Sequence, residues 1–143
     1  TGWQRGAYPT ADTARSIFDA GTLYVGVDET GSVWGSMNLN GQQLPEYQNG
    51  AWTISAEDRQ IAVIHTLTID PARAGQGLAR QMVAFAEDTA RRQGKTVLRL
   101  DTGTENLPAN RMYPALGYKA AGTVDTFFMG YAQRPLNLYE KKL

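Results

Sequence analysis

The run Asp70-Pro71-Ala72-Arg73-Ala74-Gly75-Gln76-Gly77-Leu78-Ala79-Arg80 carries the sharpest chemical signal in the sequence. Pro71 has no amide to donate, so it stops whatever strand precedes it. Gly75 and Gly77 can adopt positive φ and leave bare backbone for a ligand to approach. If a helix follows, the amides from Gln76 to Arg80 fall in its first turn, without intrahelical partners and at the positive end of its dipole. Such a turn holds a phosphate or pyrophosphate. A glycine-rich connection with no ligand would share the composition. A nucleotide-triphosphate loop requires Gly-Lys-Ser/Thr, whereas Leu78 follows Gly77, and Arg80 stands where the dinucleotide fingerprint wants a third glycine or alanine. His65 is the single histidine, and its unperturbed pKa near neutrality makes it either a contact for an acceptor or a satisfied strand residue.

The glycine turn needs a strand before it and a helix after it, and the pattern supplies both. Ile61 to Ile69 is rich in β-branched and apolar residues and reads as a central strand. Leu78 to Gln93 reads as the longest helix, with Leu78, Met82, Phe85, Ala86 and Thr89 on one side and Gly94 at its end. Upstream, Thr10 is a candidate N-cap for a helix carrying Ala14, Ile17 and Phe18 and ending at Gly21. Strands Leu23 to Val27 and Val33 to Leu39 follow, joined as a hairpin by Glu29-Thr30-Gly31. The segment from Asn40 to Asp58 is irregular, and a loop that long within a domain is usually functional or mobile. Downstream come a strand at Val97 to Leu100, a short helix at Leu107 to Leu116, and closing strands at Thr123 to Met129 and Leu136 to Lys141. A strand-helix-strand centre between hairpin-linked outer strands indicates a mixed α/β sheet.

With 143 residues and 42% hydrophobic content, one domain spanning 1–143 is expected. Fourteen basic and fourteen acidic side chains balance, and the arginines are scattered, so neither nucleic acid nor an anionic membrane is an expected partner. The absence of cysteine excludes a disulfide framework, a thiolate metal site and a cysteine nucleophile. One histidine makes a histidine-rich metal site unsuitable, and no metal is expected. No apolar run reaches the roughly 18–20 residues that span a bilayer, and no signal-peptide pattern is present, so the cytoplasm is the expected location. The chain begins at Thr1 rather than methionine, and a trimmed start is expected.

The stretch from Leu67-Thr68-Ile69-Asp70-Pro71 through Gly75-Gln76-Gly77-Leu78-Ala79 resembles the coenzyme A signature of the GNAT superfamily of N-acetyltransferases. Leu100-Asp101-Thr102 with Asn106-x-x-Ala109-x-x-x-Tyr113-x-x-x-Gly117-Tyr118 resembles that superfamily's second signature. Together they cover about half the chain, in the right order. The resemblance implies a GNAT-like α+β fold, a central mixed sheet with splayed parallel strands and flanking helices. It also implies acetyl-coenzyme A as co-substrate and an amine of a small molecule or peptide as acceptor, and it is compatible with a homodimer. By position, Gly75, Gln76, Gly77, Leu78, Ala79 and Arg80 would form the pyrophosphate turn. Leu67, Thr68 and Ile69 would pair with the pantetheine arm, which requires the central strand to splay at a β-bulge. Asn106 would touch coenzyme A, and Tyr113 would sit beside the thioester sulfur. The sequence departs from the pattern at Ala74, where Gln or Arg is usual. It also departs at Pro114, expected to kink or end the helix after Tyr113, and before Trp3, where the usual first strand and helix are short or absent.

Direct acetyl transfer needs an unprotonated amine, a polarised thioester and a proton for the departing thiolate. A tyrosine hydroxyl, with a pKa of about 10, suits the last of these, and Tyr113 is the candidate general acid; otherwise it packs on the sheet. Asp101 resembles, by its spacing, the general base of those branches of the family that acetylate protein N-termini and is the candidate base; the alternative is an ion pair with Arg99. Glu46, Tyr47 and His65 are candidate acceptor contacts, and Trp34, Tyr47 and Trp52 either line an acceptor pocket or anchor the core. Two other readings remain open. One is a coenzyme A-binding sensor or partner module without turnover, which Pro114 favours. The other is a transferase for a longer acyl group.

Overall fold

The computed structural model describes residue 3, residues 6–126 and residues 134–143, and among these residues twelve short segments are regular. The strands are Leu23–Val27 (β1), Val33–Asn40 (β2), Ile61–Ile69 (β3), Val97–Gly103 (β4), Lys119–Thr126 (β5) and Arg134–Lys142 (β6). The helices are Ala11–Asp19 (α1), Leu78–Arg92 (α2) and Leu107–Ala115 (α3), with single 3-10 turns at Pro45–Asn49, Asp58–Gln60 and Pro71–Arg73. The sheet runs β1-β2-β3-β4-β6-β5, and all its pairings are antiparallel except β3 with β4. This is the mixed sheet the sequence implies. The penultimate strand begins at Lys119 rather than Thr123; residues 127–129 of the expected strand, and most of the segment around Trp3, lie outside the described residues.

Helix boundaries follow local chemistry. Thr10 caps α1 through a reciprocal bond with Thr13, and Gly21, at φ +72°, lets the chain leave. In α2, Met82, Val83, Ala86 and Ala90 face the sheet. Phe85, expected among them, is 45% exposed and meets Tyr24 edge-on at 5.5 Å, because it stands at the margin of that face. Pro114 does not displace Tyr113. It falls in the last turn of α3, where only one helical donor is forfeited, and the helix runs on to Ala115. Gly117, at φ +87°, then closes the turn with the Tyr118 amide on the Tyr113 carbonyl at 3.0 Å.

The sheet buries a cluster on each face. Met37, Ile64, Met82, Val83, Leu98 and Leu100 pack with α2 and α3 on one side. On the other, Ile61, Val63, Val97 and Leu138 pack against Tyr47, Leu44, Trp52 and Ile54. Each fully buried aliphatic side chain here contributes about 1.5–3 kcal/mol. The irregular segment therefore does a helix's work, covering one face. Glu140, with no exposed surface, holds it there by accepting from the Thr53 amide (2.6 Å), the Thr53 hydroxyl (2.9 Å) and the Ile54 amide (3.3 Å).

Candidate active site

Strands β3 and β4 pair only from Ile61 with Val97 to Ile64 with Leu100; residues 65–69 and 101–103 continue without pairing to each other. The cause is on the opposite edge of β3. Ser36 stands opposite Thr68 and Asn38 opposite His65, so β3 fits one extra residue into that interval, and Thr66 takes φ +49°. The bulge bends β3 away and opens a cleft of about 470 Å³ between the strand ends. Leu67 and Ile69 form one wall, Asp101 and Thr102 the other, and Asn106 at the cap of α3 and Tyr113 within α3 close the floor. The unpaired strand edges are ready to bond an extended chain laid between them.

The glycine turn opens beside this cleft. Gly75 and Gly77 sit at φ +79° and +75°, and a Cβ added at either would meet nothing within 4 Å. Glycine is thus demanded by the dihedral, while the space above it stays clear. Gly77 is the N-cap of α2 and supplies no side-chain cap; the first returning helical bond is Gln81 N–H to Gly77 O at 3.1 Å. The amides of Leu78, Ala79 and Arg80 are left for a ligand, at a pocket of about 430 Å³ that Arg73, Arg80 and Arg111 also border. Arg73 is tethered, donating to Asp28 Oδ2 at 2.6 Å, and the Thr30 hydroxyl and Arg73 together hold the Asp28 carboxyl well below the ordinary carboxylate range. The tether fixes the turn to the β1–β2 hairpin.

At the far end stand Asp101 and Tyr113. Asp101 is the first residue of β4 past the last parallel pair, and it lines the cleft. It makes no ion pair with Arg99. The guanidinium of Arg99 instead lies 4.1 Å over the Trp52 ring and donates to Gln43 Oε1 at 2.7 Å. Asp101 Oδ2 accepts from the Tyr47 hydroxyl at 2.7 Å. Burial raises the Asp101 pKa and the Glu46 charge adds to this, while the Tyr47 bond opposes them. The Tyr113 ring is 5% exposed and packs 5.5 Å from Tyr118 and 5.6 Å from Tyr139. Its hydroxyl lines the cleft and bonds to no described residue. Burial, and then the charge of Asp101, push its pKa up, so it stays protonated through the physiological range.

The other candidate residues divide. Asn106 lines the cleft and caps α3, accepting from the Ala109 amide at 3.4 Å and donating to Thr102 Oγ1 at 3.2 Å. Thr68, expected beside the pantetheine arm with Leu67 and Ile69, turns to β2 and lies 2.9 Å from the Ser36 hydroxyl. His65 is on the cleft wall with Nε2 2.9 Å from Asn40 Oδ1, and burial lowers its pKa, which keeps it neutral. Glu46 and Tyr47 do not line the cleft: Glu46 accepts from the Thr126 hydroxyl at 2.7 Å, and Tyr47 is 2% exposed. Trp34 and Trp52 are anchors, the first over Gly26 and the second under Arg99, and neither reaches the cleft. Sequence reasoning missed Tyr8 and Trp3, which line the same cleft; burial and the Asp101 charge raise the Tyr8 pKa and hold it protonated. The only available signal was two aromatic residues just before the Thr10 cap, and no spacing rule singles them out.

The comparisons with known proteins agree with this geometry. A family match to the acetyltransferase (GNAT) family spans residues 2–118. The chain is 31% identical over 68 residues to an uncharacterised N-acetyltransferase of Methanocaldococcus jannaschii, which covers 48% of this chain and 30% of that protein. It is 32% identical over 87 residues to streptothricin acetyltransferase of Escherichia coli, covering 61% of this chain and 45% of that protein. The matched part thus spans less than half the length of these relatives. A Salmonella typhimurium protein assigned as an acetyltransferase and solved with its cofactor acetyl-CoA superposes with a TM-score of 0.70 at 20% identity, covering 94% of this chain and 75% of that one. From its bulged central strand to its glycine turn, the chain belongs to the acetyltransferase (GNAT) family.

Proposed function

We propose that this chain is an acetyl-coenzyme A-dependent N-acetyltransferase, a single domain that moves an acetyl group to an amine of a small molecule or peptide by direct attack. The observation that carries the proposal is the continuity of the site. The pocket at the open glycine turn shares Ile69, Ala79, Pro108 and Met112 with the cleft between the splayed strand ends, which Asp101 and Tyr113 line. The residues fit acetyl-coenzyme A along that length. Free amides of Leu78 to Arg80 suit its pyrophosphate. The edge of β3 at Leu67 and Ile69 suits its amide-bearing arm. When bound, it supplies an activated acyl carbon and a thiolate leaving group.

Asp101 removes the proton of the incoming ammonium, directly or through one water, and its raised pKa brings it nearer the working pH of a base. Tyr113 donates its hydroxyl proton to the departing sulfur. Asp101 and Tyr113 are coupled, because the charge of Asp101 is one cause of the raised Tyr113 pKa. Once Asp101 has taken the amine's proton, that charge is gone and Tyr113 becomes the better acid. The two proton steps therefore favour one another in the productive order.

The reading as a binding module without turnover rested on Pro114, which leaves Tyr113 on the floor of the cleft. The test is thiol release from acetyl-coenzyme A across a panel of small amines, polyamines and peptides, with a propionyl and a longer acyl donor alongside. Release above the amine-free rate supports the transferase. Tight binding of acetyl-coenzyme A with no release on any acceptor would assign the chain to the binding module instead.

A further inference from the structure

We infer that Tyr47 is a positioning residue for the transfer: its hydroxyl fixes the Asp101 carboxylate at 2.7 Å from behind the cleft and leaves Oδ1 as the oxygen with no hydrogen bond to a described residue. The inference rests on the reading of Asp101 as the base and extends it to a residue outside the cleft wall. Tyr47 comes from the Pro45–Asn49 turn, far from Asp101 in sequence, and everything around it serves to hold it still. Its ring is buried among Ile61, Val63, Val97 and Leu138. Its carbonyl accepts from Trp52 Nε1 at 2.6 Å, and the two rings lie 5.2 Å apart. Trp52 is itself covered by Arg99 at 4.1 Å, and the next residue, Thr53, is bonded twice to the fully buried Glu140.

A buried hydroxyl requires an acceptor, and a backbone carbonyl would meet that need. Tyr47 meets it with a carboxylate at the cleft, which has a consequence for Asp101. The groups facing Asp101 are Glu46 on the same turn, Tyr8 before α1 and Tyr113 on α3. His65 on β3 and the Glu105–Arg134 pair at the rim, 3.6 Å apart, line the same cleft. Burial and Glu46 oppose the ionisation of Asp101, and the Tyr47 hydroxyl favours it. Tyr47 thus favours the ionised base against burial and the Glu46 charge, and it holds one oxygen so that the other is presented.

The experiment is Tyr47→Phe in the full chain, which keeps the ring and removes the hydroxyl. Three readings are taken: the Asp101 carboxyl titration by carbon-13 NMR, kcat/KM against pH with the best acceptor, and the melting-temperature rise with acetyl-coenzyme A. The expected result is an Asp101 titration about one pH unit or more higher, the size of effect a hydrogen bond to a charged group exerts. The acid limb of kcat/KM moves up by the same amount, and the acetyl-coenzyme A shift is unchanged. An Asp101 titration that does not move overturns the inference, whatever happens to the rate. A titration that moves without the acid limb following removes Asp101 as base and Tyr47 with it, while an intact acetyl-coenzyme A shift leaves the binding part of the proposed function standing. If the phenylalanine variant does not fold, Asp101→Asn reads the pair from the other side. Tyr47 then ionises at lower pH than in the native chain, because the Asp101 charge that raises it is gone; an unchanged Tyr47 titration overturns the inference equally.

Discussion

Tyr113 and Asp101 reach the cleft from different elements, and each has a separable signature in rate and stability. The Tyr113 hydroxyl bonds to no described residue, so Tyr113→Phe forfeits no hydrogen bond among them and keeps the ring against Tyr118 and Tyr139. Its melting temperature should stay near that of the native chain, while kcat falls by roughly 10²–10⁴-fold, the usual loss for a positioned proton donor. An unchanged kcat would remove Tyr113 from the mechanism. For Asp101 the sign runs against the common carboxylate case. Its folded pKa lies above the ordinary 3.8, so the folded state binds the proton more readily than the unfolded chain. Stability is therefore lost as pH rises from about 3.8 through the folded pKa. Asp101→Asn, which does not titrate, should melt higher than the native chain at neutral pH, with the gap closing below pH 4. The same variant should lose the acid limb of kcat/KM and most of the rate. A lower melting point at pH 7 would mean that the carboxylate is net stabilising and the raised pKa wrong.

At the scale of elements, the β3 bulge and the β3–α2 turn are local distortions that sheet and helix propensities alone would not choose. Thr66 at φ +49° is costly for a β-branched residue, and the strand bears it where the two parallel strands must part. Gly77 serves the turn at φ +75°, where any L-residue is strained, by about 1–2 kcal/mol for an ordinary side chain and more for a branched one. Since a Cβ at Gly77 meets no neighbour within 4 Å, that strain is the main folding cost of a substitution. Gly77→Val should therefore still fold, at a lower melting temperature. It should lose the thermal response to acetyl-coenzyme A, because its methyl groups stand over the amides of the first α2 turn. A variant that melts lower yet responds to acetyl-coenzyme A as strongly as the native chain would place the pyrophosphate elsewhere.

The whole molecule should report the ligand by mass action. A ligand that binds only the folded state contributes about 2.7 kcal/mol at a hundredfold excess over its Kd, which for a chain of this size raises the melting temperature by several degrees. Acetyl-coenzyme A should produce such a rise in the native chain, and no rise at millimolar concentration contradicts the cleft as its site. No helix among the described residues is long and apolar enough to cross a membrane.

Much of this was legible in the sequence because the deciding physics was local. A proline that ends a strand, two glycines that need positive φ and an apolar stripe at helical spacing give β3, the turn and α2 before any contact is known. The spacing from Asp101 through Asn106 to Tyr113 is likewise set within one strand, one turn and one short helix. What spacing does not carry is which long-range partners meet. Arg99 and Asp101 look like an ion pair on a strand, yet Trp52 arrives from another segment to take the first and Tyr47 to take the second. Nothing periodic marks residues 40–58 as the cover of one sheet face. Their burial depends on Glu140, nearly ninety residues further on, accepting their amides. Pro114 carries the same lesson in reverse: a local rule forecasts a break, but its effect depends on how many turns of helix remain beyond it. Local stereochemistry chose the elements and the phosphate turn. Only the packing of distant segments decided the protonation of Asp101, because burial and charged neighbours are properties of the assembled fold.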